Sequence, residues 1–327
     1  MKKLNVNAVI LDLRQLSEET LDAYESCTLA TVVALTNRRA QNLLARKGVR
    51  LDTALTINSE EELEVNVING KVTLDGNGIP EKKQVLVVNG KLFLKPEAAA
   101  VLDNYESIVV NGKIYCPASM SSRVLARCLV NGKACVYPDD AVVLNGTVKL
   151  DRSFLLRAQP RLYWAERVFV AADPKLDAAA LAATGAHFAG PKAILTESNA
   201  AVLAPLFSED TQLIILPDGT TVLDDDLELD KNAFRRCGTR LYVMGDVTVA
   251  DGTEELLKKL EYFHADGDVL LPAALEEAFC AIPELDYQEL KLLEGHAIVG
   301  APMLRLGREL LELYPEGITC VDCAAVD

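Results

Sequence analysis

Apolar residues recur along this chain in a fixed relation to glycine. Two and four places after a turn glycine the side chain is apolar in nearly every copy: Val72 and Leu74, Leu92 and Leu94, Ile114 and Cys116, Val148 and Leu150, Val247 and Val249, Val269 and Leu271. A period of two is that of a β-strand. Before the glycine, runs such as Leu86-Val87-Val88 are continuously apolar, as in a strand covered on both faces. After the second apolar pair the pattern changes. Lys95-Pro96-Glu97-Ala98 leads to Leu102, Ala250-Asp251-Gly252-Thr253-Glu254 to Leu260, and Pro272 to Phe279. Proline in the first turn with acidic residues beside it suits a helix N-terminus. The unit reads strand, glycine turn, strand, helix.

Units register on Gly70, Gly90, Gly112, Gly132 and Gly146, then less regularly on Gly190, Gly219, Gly245, Gly267 and Gly295, with a glycine-free unit near Glu166. Most spacings fall between 20 and 29 residues, the period range of repeat arrays. The N-terminal segment belongs to the same series although it lacks the Asn-Gly turn. Leu21-Asp22-Ala23-Tyr24-Glu25-Ser26 returns as Leu102-Asp103-Asn104-Tyr105-Glu106-Ser107, and without a gap Val33 falls on Ile114, Leu43 on Val124 and Leu44-Ala45-Arg46 on Leu125-Ala126-Arg127. The whole chain, 1–327, is expected to be one elongated array: divergent repeats over 1–60, regular Asn-Gly repeats over 61–160, divergent repeats over 161–300 and a C-terminal cap over 301–327. In the cap, Met303 to Tyr314 reads as a last helix and Ile318 to Val321 as a last strand.

The fold class is α/β, and two architectures fit the unit. In the expected one, a repeat solenoid, the turn is a corner of a coil and successive units stack into a parallel sheet, because a unit this short cannot bury its apolar surface alone. In the alternative, Asn-Gly closes a type I′ hairpin and the unit is hairpin plus helix. The segment Val-Asn-Gly-Lys-Leu-Phe-Leu-Lys-Pro at 88–96, with its copies, resembles the broad class of leucine-rich-repeat-like β/α solenoids, though the usual leucine-rich spacing is not followed.

Composition narrows the function. A net charge of -15 opposes the phosphate contacts that dominate nucleic-acid affinity and disfavours anionic lipid, so neither nucleic acid nor membrane is an expected partner. The start lacks an unbroken apolar run, and no stretch nears the roughly 20 apolar residues of a membrane span. A cytoplasmic protein is expected, and with it eight reduced cysteines.

Candidate chemistry is sparse. Lys71, Lys91, Lys113 and Lys133 each follow the turn glycine, and stacked strands would align them in a ladder. Two places on stand Thr73, Phe93, Tyr115 and Cys135, which would add aromatic surface on the same outward face. Lys71, Lys91, Phe93, Lys113, Tyr115 and Lys133 are therefore the expected binding residues, for an anionic protein surface. In later units the column becomes Asp246 and Asp268, a reversal that suits a polar interaction surface or a head-to-tail contact between copies. Asn69, Asn89, Asn111, Asn131 and Asn145 read as structural turn residues.

No catalytic set, metal site or cofactor is indicated. Cys320 and Cys323 are a lone pair without the further ligands structural zinc needs. His187 and His264, three places before their glycines, are expected to be partly buried packing residues, and the run Asp224, Asp225, Asp226, Glu228, Asp230 a solvated insertion in the Gly219 unit. The expected function is a non-enzymatic scaffold that binds a protein or another copy of itself; the alternative is an enzyme with a site on one face.

Overall fold

In the computed structural model, residues 2–59, 63–78, 80–299, 304–305, 312, 318–321 and 325–326 are described. The chain divides into two compact units, Met1–Asp139 and Asp140–Asp327. Among the described residues every strand pairing is parallel, each strand with the following copy of itself, which excludes the hairpin. The class is α/β, with parallel strands in several small sheets.

The first unit holds two sheets. One is β1 (Lys3–Asp12), β2 (Ser26–Thr36) and β3 (Arg50–Asn58), with α1 (Glu18–Asp22) and α2 (Arg38–Lys47) between them. The other is β4 (Glu64–Leu74), β5 (Gln84–Leu94), β6 (Tyr105–Pro117) and β7 (Cys128–Tyr137), with α3 (Ala99–Leu102) before β6 and α4 (Ser121–Arg127) before β7. The repeat read from sequence has its counterpart here: Leu21 and Leu102, Val33 and Ile114, and Leu43 and Val124 are all buried.

In β4 to β7 the Asn-Gly pair does not separate two strands. One long strand runs through it and bends at glycine, with pairing unbroken on both sides. In β1 to β3 the bend is made differently. There the ladder skips Val9 opposite Val32 and Val32 opposite Ala54. Hydroxyls fill the gap, since Thr31 donates to the carbonyl of Val9 (3.1 Å) and Thr53 to that of Val32 (3.3 Å). Thr31 stands where the repeat aligns Gly112.

Both legs of β4 to β7 face one core. Leu86, Val88, Leu92, Leu94, Ile108, Val110 and Ile114 meet Ala98, Val101, Leu102, Met120 and Val124 from the connecting segments. Helices of four to ten residues hold no structure alone, so this packing supports them. The opposite faces of the two sheets meet through Val33, Leu35 and Ile57 against Val85, Val87 and Val109.

In the second unit each copy gives two short strands to two sheets. The first pair of sheets is β8 (Val142–Leu144), β10 (Leu162–Ala165) and β12 (His187–Ala189), beside β9 (Thr147–Lys149), β11 (Val168–Val170), β13 (Lys192–Thr196) and β14 (Gln212–Leu216). The second pair is β15 (Thr221–Leu223), β17 (Arg240–Val243), β19 (Tyr262–Ala265) and β21 (Glu284–Tyr287), beside β16 (Leu227–Leu229), β18 (Val247–Val249), β20 (Val269–Pro272) and β22 (Leu290–Leu293). Helices α5 (Arg152–Leu155), α6 (Ala178–Ala183), α7 (Glu197–Leu203), α8 (Lys231–Cys237), α9 (Glu254–Leu257) and α10 (Glu276–Cys280) follow the second strand of their copies. Carboxylates cap three of them: Asp151, Asp177 and Asp230 accept from the amides of Phe154, Ala180 and Ala233 at 2.7–2.9 Å. β23 (His296–Val299) pairs β25 (Ile318–Val321), and β24 (Leu304–Arg305) pairs β26 (Ala325–Val326).

Three assignments from sequence change. Gly219 and Gly295 precede β15 and β23 rather than mark corners; the corner between β15 and β16 is at Asp225, and that between β21 and β22 is at Gln288-Glu289. The acidic run is not an insertion, because Leu227–Leu229 is a strand, Asp226 accepts from the amide of Asp246 (2.9 Å) and Asp230 caps α8. Of the expected last helix only Leu304–Arg305, a strand, and Glu312 are described. The glycine-free copy near Glu166 is present as β10 and β11.

Connector length sets where sheets stop. A parallel pair needs a crossover of about a dozen residues. Nine or ten residues, 75–83, 95–104 and 118–127, serve within β4 to β7. Only five (59–63) precede β4 and four (217–220) separate β14 from β15, and among the described residues neither of these junctions carries a strand pairing; four (138–141) follow β7.

Candidate functional site

The corner of β4 to β7 brings most of the expected binding residues into line. Asn69, Asn89, Asn111 and Asn131 stand in register, as do the glycines and lysines beside them. Each amide donates to the one before: Asn89 to Asn69 (2.8 Å), Asn111 to Asn89 (2.8 Å) and Asn131 to Asn111 (2.9 Å). The glycines have φ of 102°, 143°, 141° and 147°, a region that favours residues without Cβ. Close approach adds a second requirement at the inner rungs. A Cβ on Gly90, Gly112 or Gly132 would lie 2.2, 2.1 or 1.9 Å from the carbonyl oxygen of the preceding glycine, whereas one on Gly70 would meet nothing within 4 Å.

Lys71, Lys91, Lys113 and Lys133 are exposed along this corner. At the strand spacing of about 4.8 Å such a column repels itself. Part of the charge is answered locally, since the Lys71 ammonium lies 4.4 Å from the centre of the Phe93 ring.

The aromatic residues depart from expectation. Phe93 and Tyr115 are not an outward contact surface: they are 8% and 0% exposed. Their rings stack at 4.1 Å, inclined by 4°. Strict register places one ring over the other, and burial of two large apolar faces outweighs display to solvent. The lysines and Phe93 are thus brought together, but the exposed part is the lysine and asparagine column.

Two thiols of this sheet, Cys116 and Cys128, are poor nucleophiles. Burial raises the pKa of Cys116 and, with Cys116 nearby, pushes that of Cys128 up to about 12. Tyr137, also pushed up to about 12 chiefly by burial, donates to the carbonyl of Leu94 (2.5 Å). Cys320 is in β25, and Cys323 lies outside the described residues.

The aspartate column of the second unit already has partners. Asp246 accepts from the amide of Asp268 (2.8 Å), and Asp268 pairs with Lys291 (2.5 Å). These carboxylates fasten one corner to the next.

One cluster was not foreseen. Asp266, at the corner between β19 and β20, takes Lys192 of β13 on one oxygen (2.7 Å), and Tyr242 (2.7 Å) and His264 (3.1 Å) on the other. His264 reaches Asp286 through its second nitrogen (3.0 Å) and stacks on Tyr242 at 4.6 Å. Burial is the largest influence on Asp266 and pushes its pKa up, but hydrogen bonds from Lys192, Tyr242 and His264 together carry it below the ordinary value. Burial and the Asp266 bond raise the pKa of Tyr242. With three donors on one carboxylate, the arrangement holds rather than reacts. It lies beside the apolar seam where Val168, Val170, Ile194 and Leu216 meet Tyr242 and Met244, and so ties β13 to β19. Sequence signalled only the polar corner position; Lys192 is 74 residues away. His264 is partly buried as expected, whereas His187 is exposed.

Elsewhere in this unit a groove of about 500 Å³ is lined by Lys231, Arg235 and Lys259 around Phe234 and Leu256, with Glu255 beside them. Among the described residues no group of three or more His, Cys, Asp or Glu side chains is placed to hold a metal ion, and no helix is long and apolar enough to cross a membrane. Comparison with protein families, curated proteins and solved structures finds no match to this chain.

Proposed function

We propose that the chain is a non-enzymatic cytoplasmic scaffold of repeat-solenoid type, which binds protein, another copy of itself included, through its stacked sheet. The observation that carries the reading is the in-register corner of β4 to β7, a straight line of exposed lysines on an otherwise acidic chain. Aligned cations at strand spacing suit an extended acidic polypeptide better than a small ligand, because the charge is spread along a line and not gathered in a cavity.

The test is capture of poly-glutamate by the immobilised chain in low and high salt. The double variant K91E/K113E is expected to keep the circular dichroism of the parent and to lose binding by at least about tenfold, or roughly 1.4 kcal/mol. Equal capture by parent and variant overturns the lysine column as the binding surface.

A further inference from the structure

The two ends of the β4 to β7 sheet are built alike. Each carries Asn-Gly-Lys at the corner, Asn69-Gly70-Lys71 on β4 and Asn131-Gly132-Lys133 on β7. Among the described residues neither β4 nor β7 pairs with a further strand on its outer edge, and the connector beside each is short for a parallel crossover. Long edge strands with apolar side chains are templates for another strand, and neither end is blunted by proline or a bulge at its corner. Val67 on β4 and Val136 on β7 are 48% and 47% exposed, and Leu125, just before β7, is 75% exposed.

The amide chain gives these ends a polarity. Every inner asparagine both donates and accepts, but Asn69 only accepts from its neighbour and Asn131 only donates. One end therefore offers an NH2 group and the other an oxygen, so the chain of donors continues if β4 of a second copy follows β7. Two like ends cannot do this. Gly70 keeps the form of the inner glycines, with φ of 102°, and the space where its Cβ would stand is open. That open space is where the carbonyl of a preceding Gly132 belongs.

We infer that copies of this chain associate head to tail, β4 of one pairing in parallel with β7 of the next, in the register Asn69 to Asn131, Gly70 to Gly132 and Lys71 to Lys133. This rests on the scaffold reading and names another copy as the partner. The same register sets Thr73 beside Cys135. Because the surfaces joined are different, the contact is heterologous and leads to open chains or rings, not to closed two-fold dimers.

Register gives a sharp test. Neighbouring strands place Cα atoms about 4.8 Å apart, inside the roughly 4.4–6.8 Å that a disulfide spans. Within one chain β4 and β7 are three strands apart, about 14 Å, so the T73C thiol cannot reach Cys135 of its own chain. On mild oxidation of full-length T73C, a series of disulfide-linked multimers is expected, with the bond mapped by mass spectrometry to positions 73 and 135. T73C/C135S should lose the series, and V136E should weaken association by at least about tenfold. Multimers in light scattering without the 73–135 bond overturn this register while leaving self-association standing. A chain that stays monomeric at every concentration overturns head-to-tail association, and if it still captures poly-glutamate the scaffold reading survives.

Discussion

At Gly112 two separate demands fall on one position. Its φ of 141° strains any side chain, and the Gly90 carbonyl lies 2.1 Å from where a Cβ would be. Gly70, at the end of the same column, meets only the first demand. The strain alone is worth about 1–3 kcal/mol. G70A is expected to lose about that much in urea unfolding followed by circular dichroism, and G112A distinctly more, because the backbone of the preceding rung must move. Equal losses would show that conformation alone selects glycine. Where Thr31 takes the equivalent place, its hydroxyl bonds the Val9 carbonyl that the ladder leaves unpaired, so a corner without glycine costs the sheet no buried acceptor.

Among elements, the tie between β13 and β19 is the one whose strength varies with pH. Asp266 is held below its ordinary pKa when folded, by bonds that outweigh its burial. Its contribution is complete above the unfolded value of about 3.9 and is lost as pH falls through the lowered folded value. D266N keeps one acceptor oxygen but surrenders the charge that Lys192 faces, a loss of about 1–3 kcal/mol at neutral pH. Urea melts of parent and D266N should therefore differ at pH 7 and converge as pH drops below about 4. A gap that persists unchanged into acid would assign the effect to packing along the Val170 and Ile194 seam.

Over the whole molecule, the elements that repeat were the legible ones. Val72, Leu92, Ile114, Val247 and Val269 all face a core or pack against one, as their period of two requires. The parallel stacking followed from the continuously apolar legs, since Leu86 and Val88 turn to one core and Val85 and Val87 to another. Glycines misled where they lie between copies, because Gly219 and Gly295 cannot be told from corner glycines by identity alone. The break after β7 left a trace, the spacing of 14 residues from Gly132 to Gly146, which is too short for a helix-bearing unit. Burial of Phe93 and Tyr115 left none. Alternation assigns a face to a side chain but does not say what covers that face.

The asparagine column carries a chemical liability as well as a structural role. In Asn-Gly the following backbone nitrogen, unhindered by a Cβ, can close on the side-chain carbonyl and expel ammonia. Hydrolysis of the ring then leaves a carboxylate, and asparagine is among the residues lost this way on heating. At Asn89, Asn111 or Asn131 the event would remove the donor that reaches the preceding rung and set an anion against the oxygen it had bonded. Asn89 and Asn111 are held by two amide bonds each, while Asn69 and Asn131, both exposed, have one. Peptide mapping of protein aged at alkaline pH should find the two ends converted first and the middle pair only after the sheet begins to open. The corner is in this sense a clock that runs inward from both ends.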